Sequence, residues 1–129
     1  MTIKKKISIK NVSFGKNVII IEPVNLYNCK IGNNCFIGPF VEIQEGSIIG
    51  DNTRIQSHSF ICSKVEIGKN CFIGHGVKFV NDKFLKNKLT KDKKKLLNTL
   101  VGNNVLIGSN STILPVAIKN NIVIGAGSV

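Results

Sequence analysis

The sequence has no tryptophan, one tyrosine and an aromatic share of only 6%, so bulky rings do not build its interior. It has a single arginine, Arg54, among 18 basic residues. Guanidinium groups are the usual bidentate readers of phosphates and base edges, so no nucleic-acid partner is expected despite a formal net charge of +11. No apolar run is long enough to span a bilayer. The start, MTIKKKISIK, alternates Lys with Ile and lacks the apolar stretch of a secretion signal. No membrane partner is expected. Cys29, Cys35, Cys62 and Cys71 form no CxxC pair, which removes a zinc-ribbon reading and suits a reduced, cytoplasmic protein. The chain has only two histidines, His58 and His75, and no GxSxG elbow. Neither a bound metal nor a serine nucleophile is expected.

What the sequence does have is a period of six. From Ile31 it reads IGNNCF, IGPFVE, IQEGSI, IGDNTR, IQSHSF, ICSKVE, IGKNCF, IGHGVK and FVNDKF without a slip. The first position of each hexad is Ile, or Phe79 in the last. The fifth is small or β-branched, from Cys35 to Val77, the second is often Gly and the fourth often Asn or Gly. An inward anchor every six residues means a short strand followed by a sharp corner. Asn and Gly at the fourth position supply the positive φ that a corner needs, and only small residues fit inward beside it. Three hexads close a triangular coil, and coils stack at the strand spacing of roughly 4.8 Å. Hexads recur upstream from Phe14 and downstream from Val101, with shortened ones at Leu26 and Ile113. The expected architecture is an all-β parallel helix of about five coils, one domain over residues 1–129. Asp82 to Leu100 breaks phase as a Lys-rich loop insertion, read either as a solvated insert or as a functional loop on a rigid scaffold.

Folding the repeat places the hexads that start at Ile37, Ile55, Ile73, Ile107 and Ile124 on one corner, provided the insertion returns in phase. That corner collects Pro39 and Phe40, Ser57 and His58, His75 and Gly76, Ser109 and Asn110, Ala126 and Gly127. Both histidines therefore fall on one exposed edge, one coil apart, with Cα atoms roughly 5–8 Å from each other.

The segments IQSHSFI, IGHGVKFVND, ILP and IGAGSV resemble the hexapeptide-repeat N-acetyltransferases that modify nucleotide-linked (dTDP- or UDP-) amino sugars for bacterial surface polysaccharides such as lipopolysaccharide. The resemblance covers residues 14–129. It implies a left-handed winding, a homotrimer with active sites between neighbouring subunits, and acetyl-CoA as co-substrate without a metal. It assigns His75 to acid–base work and His58 to catalysis or sugar contact. It assigns Asn81 and Asp82 to the sugar, and Ser109, Ala126 and Gly127 to CoA. A basic surface would concentrate such polyanionic ligands. The resemblance also implies a tail beyond IGAGSV bordering the CoA nucleotide. A chain lacking it is expected to hold the adenine end loosely, or to serve as a non-catalytic scaffold.

Overall fold

A computed structural model describes all residues, Met1–Val129. Eighteen strands of two or three residues form three parallel six-stranded sheets, the faces of a left-handed β-helix. The first face stacks Ile9–Lys10, Asn25–Tyr27, Glu42–Ile43, Phe60–Ile61, Lys78–Phe79 and Thr112–Ile113. The second stacks Ser13–Phe14, Lys30–Ile31, Ile48–Ile49, Val65–Ile67, Thr99–Val101 and Ala117–Ile118. The third stacks Ile19–Ile20, Phe36–Ile37, Arg54–Ile55, Phe72–Ile73, Leu106–Ile107 and Val123–Ile124. There are six coils rather than about five, because Ile9 and Phe14 pair in register with Leu26 and Ile31 although the spacing around them is irregular.

The interior is the two inward columns of the repeat. Every hexad anchor from Leu26 to Ile113 is buried, as is every fifth-position residue from Cys29 to Ser111. Each buried Ile contributes about 1.5–3 kcal/mol relative to exposure. The fifth position is small for a second reason as well. Its hydroxyl or thiol donates to the corner carbonyl of the next coil: Ser47 Oγ to Cys62 O (2.7 Å), Thr53 Oγ1 to Gly68 O (2.8 Å), Ser59 Oγ to Gly74 O (2.8 Å), Cys35 Sγ to Gly50 O (3.1 Å) and Cys71 Sγ to Gly102 O (3.1 Å). Carbonyls that the strand ladders leave free are satisfied from inside the prism.

All length variation sits at the corner between the first and second faces. Anchors there are five residues apart at Leu26–Ile31 and Ile113–Ile118, six at Ile43–Ile49, and separated by the whole insertion at Phe79–Val101. The ladder resumes at Thr99, which pairs with Val65, so the insertion returns in phase. The shortened hexad after Ile113 has a specific consequence. Thr99 occupies a fifth position, yet its hydroxyl is buried without a partner. The coil that should offer it a carbonyl has lost one corner residue. Thr99→Val removes an unsatisfied polar group at constant shape, while the Thr99 N–H to Lys64 O bond remains. It should raise stability by about 1 kcal/mol, visible as a higher urea midpoint at unchanged slope; a lower midpoint would show that the hydroxyl has a partner in solution.

Candidate functional site

The corner between the third and first faces gathers five of the seven residues singled out in the sequence. Backbone bonds define two adjacent columns. In one, Pro39, Ser57, His75, Ser109 and Ala126 follow each other coil by coil. In the other, Phe40, His58, Gly76, Asn110 and Gly127 do. The bonds are His58 N to Pro39 O (3.1 Å), Gly76 N to Ser57 O (2.9 Å), Asn110 N to His75 O (2.9 Å) and Gly127 N to Ser109 O (2.9 Å). The second column is the left-handed one, with φ of 63° at Phe40, 64° at His58, 68° at Gly76, 60° at Asn110 and 71° at Gly127.

Because the histidines occupy neighbouring columns, each has its own partner. His75 lies over Ser57, with Nδ1 3.0 Å from Ser57 Oγ. His58 lies over Phe40, ring centroids 4.8 Å apart at an interplanar angle of 31°. Both imidazoles are exposed. Lys78 closes the edge of the site. Its Nζ donates to His58 O (2.7 Å) and Gly76 O (3.0 Å). The repeat alone puts Ser57 and Phe40 on this corner without assigning them a role, and it does not single out Lys78. Ser57 carried a usable signal, its third-position alignment with His75; Phe40 carried another, a bulky residue where the corner needs positive φ.

Asn81 and Asp82 lie across the first face, at the root of the insertion. Asn81 Nδ2 donates to Ser63 O (3.1 Å) and Ser63 Oγ (2.8 Å). Asp82 accepts from Thr90 N (2.7 Å), Thr90 Oγ1 (2.8 Å) and Phe84 N (3.0 Å). The Thr90 and Phe84 bonds hold its carboxyl below the usual range, so this clasp survives mild acid and loosens only as pH falls through that lowered value. The insertion contains two 3₁₀ turns, Leu85–Asn87 and Lys93–Lys95. Lys64 Nζ ties it down through Lys94 O (3.2 Å) and Leu96 O (3.1 Å). Between the insertion root and the first face runs an open groove of about 570 Å³, bordered by Gln44, Phe60, Val80, Asn81, Asp82 and Phe84. Cys62 also lines it, but burial pushes its thiol up to about 11, which removes it as a nucleophile near neutrality. No group of three His, Cys, Asp or Glu side chains is placed to hold a metal ion, and no helix is long and apolar enough to cross a membrane.

Residues 28–63 match the family described as bacterial transferase hexapeptide (six repeats), and residues 64–77 and 99–129 match the hexapeptide repeat of succinyl-transferase. The chain belongs to the hexapeptide-repeat transferases. The break in the second match coincides with the insertion. Among transferases of this family, the chain is similar to the bifunctional protein GlmU of Acetivibrio thermocellus, 41% identical over 99 residues that make up 76% of this chain and 19% of that protein. It is also similar to GlmU of Buchnera aphidicola subsp. Acyrthosiphon pisum (strain Tuc7), 30% identical over 130 residues, 93% of this chain and 28% of that protein. The chain thus spans about a fifth to a quarter of the length of these relatives. A crystal structure of serine acetyltransferase isoform 3 from Entamoeba histolytica, in complex with cysteine, shares the fold: TM-score 0.56, 23% identity, 78% of this chain and 34% of that one.

Proposed function

We propose that the protein is an acetyl-CoA-dependent N-acetyltransferase acting, as a cytoplasmic homotrimer, on the amino group of a nucleotide-linked sugar destined for surface polysaccharide. The observation that carries this reading is the pairing of an exposed His75 with Ser57 on a corner shared with His58, Ser109, Ala126 and Gly127, in a chain of the hexapeptide-repeat transferases. With Nδ1–H donating to Ser57 Oγ, the lone pair on His75 Nε2 faces outward. The amine nitrogen attacks the thioester carbonyl, a C–N bond forms, and the C–S bond breaks with CoA leaving as thiolate. The amine proton passes to His75 Nε2, the kind of transfer worth about 10²- to 10⁴-fold. Pantetheine and nucleotide run along the corner past Ser109, Ala126 and Gly127. The sugar lies over the first face toward Asn81 and Asp82, with His58 beside it.

A trimer also accounts for an apolar stripe on the third face. Ile19, Phe36, Phe72, Leu106 and Val123 lie in register on its outer side, interrupted only by Arg54, whose guanidinium sits 4.1 Å over the Phe36 ring. Ile19, Leu106 and Val123 are exposed in the single chain and Phe36 and Phe72 half-buried, apolar surface of the sort that marks an interface.

The test is calorimetric titration with CoA, followed by an acetylation screen of dTDP- and UDP-linked 3-amino and 4-amino sugars read by thiol release. Saturable heat and thiol release with one of them is expected. A folded trimer with no saturable heat is a scaffold, and the enzymatic reading is lost. The insertion gives a further prediction. Deleting Lys86 to Lys95 should raise KM for sugar or CoA severalfold with little change in melting temperature, since no residue of the two 3₁₀ turns is buried; a large drop in melting temperature at unchanged KM would mark the segment as structural.

A further inference from the structure

The corner slots with positive φ are filled almost throughout by Asn or Gly, residues that adopt this conformation readily. Three slots are different: Phe40, His58 and Lys64. Lys64 has an evident task in tying down the insertion. Phe40 and His58 have no such task, and they are consecutive in one column. Phe40 is 57% exposed and stands outside the core cluster; its ring meets the His58 ring at 4.8 Å. A bulky side chain in a left-handed backbone is strained, and strain of this kind collects at functional sites. On the same corner stands the Lys78 ammonium, held by two carbonyls, one of them that of His58 itself. An ammonium has three N–H donors, so one is left to face outward.

A flat, exposed π surface on one corner with a fixed cation is complementary to a planar heteroaromatic ring joined to an anion. The geometry points to a nucleotide ledge: Phe40 and His58 stack the base, and Lys78 takes a phosphate oxygen. The choice of ligand class rests on the nucleotide-sugar reading above. The same chemistry is present in the nucleoside diphosphate of the sugar substrate and in the adenosine diphosphate part of CoA; the ledge lies on the side of His75 away from Ser109, Ala126 and Gly127, which favours the sugar nucleotide. It assigns roles to Phe40 and Lys78 and makes His58 a stacking residue.

The experiment is isothermal titration of the intact protein with UDP, dTDP and adenosine 3′,5′-diphosphate, comparing the parent with Phe40→Asn and Lys78→Gln. Asn fits the positive φ, so Phe40→Asn should fold with an equal or higher melting temperature while binding its nucleotide at least about tenfold more weakly, the scale of one lost stacking contact. Lys78→Gln should weaken the diphosphate and leave binding of the bare nucleoside unchanged. Loss confined to UDP or dTDP assigns the ledge to the sugar nucleotide, and loss confined to adenosine 3′,5′-diphosphate assigns it to CoA. Either result supports the ledge. If a folded Phe40→Asn protein binds all three ligands as the parent does, or if the parent binds none, the ledge is overturned. Turnover of an amino sugar with unchanged nucleotide affinities would sink the ledge alone. Nucleotide binding that depends on Phe40, without any acetyl transfer, would sink the enzymatic reading alone.

Discussion

His75→Asn is expected to lower kcat for acetyl transfer at least about tenfold while the protein stays folded and assembled. The side chain is exposed, and its column continues with Ser109 and Ala126, so no packing depends on the ring. Asn keeps a polar group within reach of Ser57 but has no basic nitrogen to take the amine proton. That proton moves only in the transition state, so kcat and kcat/KM should fall together and KM should change little. Ser57→Ala gives a graded control. It leaves the imidazole in place but removes the oxygen 3.0 Å from Nδ1, so its loss of rate should be smaller than that of His75→Asn. Unchanged kinetics in the His75 variant, measured with a competent sugar, would exclude the base role and leave the departing CoA sulfur as the proton acceptor.

The repeat made most of the architecture legible. An uninterrupted run of hexads fixes which residue points inward, so Ile37, Ile55, Ile73, Ile107 and Ile124 could be aligned before any coordinates, and they pair in register. The alignment also put both histidines on one corner. The separation of the two rings into different columns was less visible. Third and fourth positions differ by one residue, which on a corner turns the side chain to a different neighbour: Ser57 for His75, Phe40 for His58. Asn81 and Asp82 illustrate another limit. The family resemblance assigns them to substrate, but gives no sign that their side chains also bond Ser63 and Thr90 at the root of the insertion. Nothing periodic governs residues 82–98, so local hydrogen bonds decided by the loop's own course were out of reach. Of the first coil only the Ile9 strand escaped the pattern. Ile9 lies five residues before Phe14, in a stretch where Lys alternates with Ile and several Ile could serve as the anchor.

The glycines separate two physical reasons for the same residue, and Gly50 carries the largest expected effect on stability. At the corner between the second and third faces, Gly15, Gly32, Gly50, Gly68 and Gly102 occupy the second hexad position in successive coils, and Lys119 has that place in the sixth. A Cβ on Gly50 would lie 2.5 Å from both C and O of Gly68 and 2.9 Å from Lys69 N. Those atoms are backbone, so relief requires the coils to move apart. The Gly50 N to Ile67 O bond of 2.8 Å is in the path of that movement. Overpacking of this kind costs about 1–3 kcal/mol where side chains can yield, and here they cannot. Gly50→Ala should therefore cost about 3 kcal/mol or more, a large part of the 5–15 kcal/mol typical of a domain. Gly46 is the control. Its φ of 80° needs glycine for conformation, but a Cβ there meets nothing within 4 Å. Gly46→Ala should cost only about 1–2 kcal/mol, the strain of a left-handed alanine, and Gly46→Asn less still. Urea unfolding of the three variants decides between the reasons. If Gly50→Ala unfolds at the same midpoint as Gly46→Ala, close stacking of backbone on backbone is not what demands glycine in the column.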